Sequence, residues 1–216
     1  MDLEANIKRY LDGESDTDGR KADARYASFD YCFNYFQAHR EADNIAALAS
    51  PPNLQLSCLH LGFYLASWGM LRGSAELLQR SARHLVPIIT LIAAADPVLW
   101  NIDADRYTDK NVKLLLGAGD TLRQAWPGMS DILVTKIMLG VFGNVPAFDT
   151  NFKKGFGVST FGPKSLRKIG EFYHAHRNVI DAHCVPTLDF MSAQPTQRCY
   201  TRAKVIDMAF FIEGMA

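Results

Sequence analysis

Apolar residues in this chain recur at helical spacing, in runs that proline or glycine ends, and almost nowhere alternate with a period of two. A chain patterned this way has helix stripes to bury and no half-buried strands, so the expected fold class is all-α. Tyr26, Phe29, Phe33 and Phe36 fall on one helical face. Helices are predicted over Leu54–Trp68, Ser74–His84, Pro87–Ala95, Asn111–Trp126, Ser130–Phe142, Leu166–Ile180 and Ala203–Glu213. A shorter one over Glu41–Ala49 is expected to stop at Pro51-Pro52, because proline lacks the N–H and clashes with the preceding turn. Another restarts at Asp149, and residues 1–24 read as a helical start followed by a mobile loop.

With 216 residues, the chain can bury one large core or two small ones. Lys+Arg and Asp+Glu both number 23, so net charge is zero and a bulk-charge coat for nucleic acid is excluded; any such contact needs a local patch. Residues 151–177 supply one, with six basic side chains against Glu171 alone. Cys32, Cys58, Cys184 and Cys199 form no CxxC pair and read as buried thiols of a reducing compartment. His174 and His176 are two residues apart, which sets them on different helix faces and argues against a shared metal, so no metal and no cofactor is expected. The stretch Leu54–Leu71 is interrupted by Gln55, Ser57, His60 and Ser67, so it reads as a core helix and not a membrane span. The start of the chain is acidic and shows no signal peptide. A cytoplasmic monomer without membrane contact is the expectation.

The segment 126–154 carries the chemistry. Trp126, Pro127, Gly128, Met129 and Ser130 form a tight turn between two helices. Such a turn offers backbone N–H groups at the positive end of the second helix dipole, a favourable place for a phosphate. Phe142-Gly143 then closes the apolar helix, and Phe148-Asp149-Thr150-Asn151-Phe152 follows, with Lys154 soon after. In this order these residues resemble the helix-hairpin-helix DNA glycosylases of the endonuclease III-like superfamily. There the signature is Leu-Pro-Gly-Val-Gly-x-Lys-Thr-Ala, an apolar helix ending in Phe-Gly, and a Val-Asp-Thr run. The resemblance covers about 30 residues, with a vaguer extension over Leu65–Leu78.

The resemblance implies a two-lobed helical fold with its active site in the cleft. Residues 1–52 and 149–216 would pair as one lobe and 53–148 would form the other, with the hairpin at 126–131. It also implies a function, excision of a damaged or modified base flipped out of double-stranded DNA, in repair or in defence against modified foreign DNA. Three departures shape that expectation. Ser130 replaces the second hairpin glycine, Asp131 puts a carboxylate near the phosphate position, and Ile132 stands where bifunctional members carry a Schiff-base lysine. Lys136 and Thr135, one turn on, read as helix-surface residues. The four-cysteine iron–sulfur motif is absent. The implied enzyme is monofunctional, with Asp149 stabilising the oxocarbenium-like sugar and orienting water; from the residues alone Asp149 reads as an N-cap.

Pro127, Gly128, Met129, Ser130, Arg72, Lys153, Lys154, Lys164 and Lys168 are the candidate DNA contacts. Tyr31, Tyr35, Tyr64, Trp68 and Met70 are candidates for the base pocket or the wedge that fills the vacated stack. Asp30, amid aromatics, reads as a surface or capping acid. The rival function is a non-catalytic hairpin module that binds DNA without turnover.

Overall fold

The computed structural model describes residues 2–14, 18–71 and 76–215. Among them ten α-helices dominate: α1 Leu3–Asp12, α2 Ser28–Glu41, α3 Pro51–Ser67, α4 Val86–Ala93, α5 Asp109–Ala125, α6 Asp131–Phe142, α7 Thr150–Phe156, α8 Pro163–Ala175, α9 Arg177–Ala182 and α10 Arg202–Met215. The fold is thus predominantly helical, with one small sheet that the sequence reading lacked. Strands β1 (Pro186–Leu188) and β2 (Pro195–Cys199) pair antiparallel, Pro186 opposite Cys199 and Leu188 opposite Pro195, with an irregular register between. Runs of three and five residues are too short for alternation to register, and each opens on a proline, a position strands tolerate.

Several boundaries differ from the periodicity. Pro51 and Pro52 open α3 at its first helical positions, where the missing N–H would be unsatisfied anyway. Glu41 ends α2, and residues 45–49 form only a 3₁₀ turn. In place of one helix over Ser74–His84 there are two short 3₁₀ turns, Glu76–Gln79 and Ala82–Leu85, while residues 74 and 75 lie outside the described set. The helix expected over Leu166–Ile180 breaks at His176 into α8 and α9.

Helix α6 is the hub. Every residue from Leu133 to Phe142 is buried, which is why its sequence is apolar all round. It packs against α2, α3 and α5. Helix α10 is buried from Ala203 to Ile212 and packs on α7 and α1. Helix α6 carries Lys136 and helix α10 carries Lys204 and Asp207, while Asp149 stands just before α7.

One correction concerns sulfur. Cys32 and Cys58 are buried free thiols, but Cys184 and Cys199 are bonded to each other, Cα–Cα 5.4 Å, clasping the base of the β-hairpin.

Candidate active site

Helix α5 ends at Ala125, Pro127 and exposed Gly128 turn the chain, and Ser130 caps α6 by accepting from Leu133 N–H at 3.3 Å. Gly128 has φ 88°, a left-handed conformation glycine adopts without steric cost, and a Cβ there would meet no atom within 4 Å. The turn's outer face is therefore open. The N–H groups of Asp131 and Ile132 belong to the first helical turn, which has no intrahelical acceptors. Asp131 does not confront this face as a free anion. One oxygen accepts from Arg123 at 2.6 Å and the other from Phe161 N–H at 2.8 Å, tying both hairpin helices to the loop before α8.

In the second turn of α6, Lys136 reverses the expectation of a surface residue. It is 3% exposed, and its Nζ lies 3.1 Å from Asp149 Oδ2. Its ammonium also sits 4.9 Å from the centre of the Trp68 ring, a cation–π distance. Asp149 does cap α7, accepting from Phe152 N–H at 2.9 Å through Oδ1. The cap uses one oxygen only. The other faces Lys136 in a crevice lined by Tyr64, Trp68, Ala147 and Phe211, and the side chain remains 17% exposed. Cap and site residue are the same carboxylate used twice.

The approach to Asp149 is pinned from both sides. Thr135, also buried and not on the surface, accepts from Phe148 N–H at 2.8 Å, while its hydroxyl donates to Asp131 C=O at 2.7 Å. Ala147 N–H donates to Asp207 Oδ1 at 2.9 Å. Asp207 Oδ2 in turn lies 2.9 Å from Lys204 Nζ, which reaches Tyr10 OH at 3.1 Å. Burial by itself would pull the Lys204 ammonium below its usual range; Asp207 and Tyr10 outweigh that and hold it above. Burial raises the Tyr64 hydroxyl well above the ordinary phenol value, so it is a neutral wall of the crevice. Tyr64 can lie against α6 because position 140 is glycine: a Cβ there would come within 2.4 Å of the Tyr64 ring.

Trp68 completes the crevice. It stacks on Tyr26 at 5.4 Å between centroids, and the Arg25 guanidinium lies 5.2 Å from each of those two rings. Trp68 Nε1 and Tyr26 OH are buried and have no hydrogen-bond partner among the described residues. The side chains fill the crevice so closely that no water molecule fits among them. Two roomier cavities, about 520 and 540 Å³, are lined by other residues, at α3 with Tyr31 and Phe190 and between α4 and α5.

The remaining candidates divide. Tyr64 and Trp68 join Asp149; Met70 lines a cavity of about 190 Å³ beside Gly128 and Ser130. Tyr31 and Tyr35 do not line the crevice. Tyr31 donates to Ala22 C=O at 2.6 Å, and Tyr35 stacks on His60 at 4.1 Å. Met129 is 6% exposed, so its side chain belongs to the core and only its backbone belongs to the turn. Lys154 and Lys164 are exposed and Lys153 is partly so, whereas Lys168 donates to Phe156 C=O and Gly157 C=O at 2.9 and 3.0 Å and closes the C-terminus of α7. Arg72 lies outside the described residues. Asp30 is not at the surface: it is fully buried and bound by Arg20, Tyr200 and Leu188 N–H.

Sequence reasoning put Thr135 and Lys136 on the helix surface, where the structure buries both, and passed over Lys204 and Asp207. A signal existed for the lysines, since each stands in a helix apolar on every side and such a lysine has no wet face to occupy.

Among the described residues no group of three His, Cys, Asp or Glu side chains is placed to hold a metal ion, and no helix is long and apolar enough to cross a membrane. No protein-family profile, curated protein or solved structure matches the chain.

Proposed function

We propose that this chain is a monofunctional DNA N-glycosylase that hydrolyses the bond between deoxyribose and a flipped-out base, leaving an abasic site. One observation carries the reading. Asp149 is a partly buried carboxylate with one oxygen fixed by a helix cap and the other turned into an aromatic-walled crevice, on Lys136 of the helix that the Pro127-Gly128 turn begins.

Breaking an N-glycosidic bond builds positive charge on the sugar, and a held anion in a water-poor site stabilises that charge without reorganising. The same carboxylate can accept a proton from the water that attacks C1′. The exposed turn at Gly128, with the Lys153, Lys154 and Lys164 side chains, would grip the strand by its phosphates. The implied two-lobe division belongs to this proposal: Tyr64, Trp68 and Lys136 come from residues 53–148, Asp149, Asp207 and Phe211 from residues 149–216, and the crevice draws on both. Because the crevice is filled, a base reaches Asp149 only if a side chain of its wall gives way. The hydroxyl of Tyr31 and the ring of Tyr35 take no part.

The test is incubation with duplexes bearing varied damaged and modified bases, with released bases identified by mass spectrometry. Release by the wild-type chain, lost in Asp149→Asn while duplex binding survives, is the expected result. Binding without release of any base favours the non-catalytic hairpin module, which the tightly filled crevice would also suit.

A further inference from the structure

We propose that the base this site removes is electrically neutral and offers a hydrogen-bond acceptor, and that cationic alkylated bases are rejected. The inference rests on the glycosylase reading and narrows its substrate.

The crevice already has its cations. Lys136 lies 4.9 Å from the Trp68 ring centre, Lys204 5.5 Å and the Arg25 guanidinium 5.2 Å. An indole ring attracts positive charge, but this one already has three cationic groups around it, which repel another cation. Against them stand Asp149 and Asp207, each already paired with a lysine. A positively charged base would thus enter a site with no spare anion and meet Lys136 as a like charge.

The bond-breaking step points the same way. When the C1′–N bond of a neutral base breaks, the electron pair leaves with the base. The sugar becomes positive, the base negative, and water then adds to C1′, one of its protons finally neutralising the base. Asp149 and Lys136 form a fixed negative–positive pair 3.1 Å apart. With the carboxylate toward the sugar and the ammonium toward the base, that pair matches the charge separation of the transition state and not that of the ground state. A cationic base leaves as a neutral molecule. Its cleavage only moves positive charge from base to sugar, so the ammonium opposes binding and gains nothing in the transition state.

Acceptor recognition has its own mark. Among the described residues Trp68 Nε1–H is a buried donor with no partner, and an acceptor on the incoming base would satisfy it. Tyr26 OH, in the ring stacked on Trp68, is a second unmatched group.

The experiment compares duplexes carrying neutral acceptor-bearing bases (uracil, hypoxanthine, 8-oxoguanine, 5-hydroxymethyluracil) with duplexes carrying 7-methylguanine or 3-methyladenine, reading released base per unit time under single turnover. At least one neutral base is expected to leave 100-fold or more faster than either cationic one, a ratio of order 3 kcal/mol in barrier. Lys136→Met should cut neutral-base release and narrow that ratio. Trp68→Phe, which keeps a ring and removes the donor, should lower neutral release about tenfold, in line with one lost hydrogen bond. Thermal melts of both variants separate these effects from unfolding. Cationic bases released as fast as neutral ones would overturn the inference and leave the glycosylase reading intact. Release of no base from either set would overturn the glycosylase reading and this inference with it.

Discussion

Two aspartates, buried Asp30 and partly buried Asp149, sit in cationic and aromatic surroundings, yet their oxygens differ in their reach to solvent. Asp30 is wholly enclosed. Arg20 and Leu188 N–H meet Oδ2 at 3.0 and 2.9 Å, and the Tyr200 hydroxyl takes Oδ1. Burial raises its pKa, and Arg20, Tyr200 and the Leu188 N–H pull against that without cancelling it. Those bonds spend Asp30 on docking the β-hairpin to α2. Asp149 has solvent at its edge, one oxygen on a cap and the other on a lysine that shares its crevice with an unmatched donor. Burial and charge alone therefore do not separate a candidate site from a structural ion pair; access to solvent does.

The strongest break of that contrast is Asp149→Asn. Asparagine keeps the cap of α7 but leaves the buried Lys136 ammonium without its counter-charge, so stability should fall too, while base release per folded molecule falls by about a thousandfold or more. A large loss of stability with unchanged release per folded molecule would put Asp149 in the same class as Asp30. The reciprocal change, Asp30→Ala, leaves Arg20 beside an empty buried pocket. It should destabilise by about 3–5 kcal/mol in chemical denaturation, with release by the folded fraction intact.

Asp207→Ala tests the intermediate case. It leaves the Lys204 ammonium uncompensated and frees Ala147 N–H, so both stability and release should fall, the first again by about 3–5 kcal/mol. A fall in stability alone would remove Asp207 from the positioning of Asp149. On the outer surface, Lys153, Lys154 and Lys164 changed together to Glu should weaken duplex binding and flatten its salt dependence by about three phosphate contacts, without altering the melt. Lys168 is left out of that set because its bonds to Phe156 and Gly157 carbonyls make it part of the fold. Unchanged salt dependence would clear this face of DNA.

The smallest expected effect is a pH slope far from Asp149. Burial lowers the pKa of His60, which stacks on Tyr35. The folded state thus binds fewer protons than the unfolded one. The stability His60 contributes is complete above its unfolded value, about 6.5, and is lost as pH falls through the lower folded value. His60→Gln should flatten the melting temperature between about pH 7 and 5, and an identical slope in the variant would exclude His60 as its source.

Helical class, the Pro127-Gly128 turn, the stop at Phe142-Gly143 and the cap at Asp149 follow from local rules, and each is readable because proline, glycine and aspartate act on the backbone within a few residues. The prolines at 51 and 52 show the limit: the same residue that ends one helix can begin the next, and only the path of the chain chooses. The burial of Asp30 depends on Leu188, 158 positions away, and the β-hairpin, with the Cys184–Cys199 bond across its 15-residue separation, depends on strands too short to leave a pattern.

By itself the sequence determined that helices would form, where most would start and stop, and that a carboxylate would follow the apolar helix. Tertiary structure alone decided which charges share an enclosure. The pairing of Lys136 with Asp149 and of Lys204 with Asp207 beside Trp68 depends on how α6, α7, α10 and the end of α3 converge. A lysine's sequence neighbours fix its helix face, but whether that face meets water or a carboxylate is set by packing between distant segments.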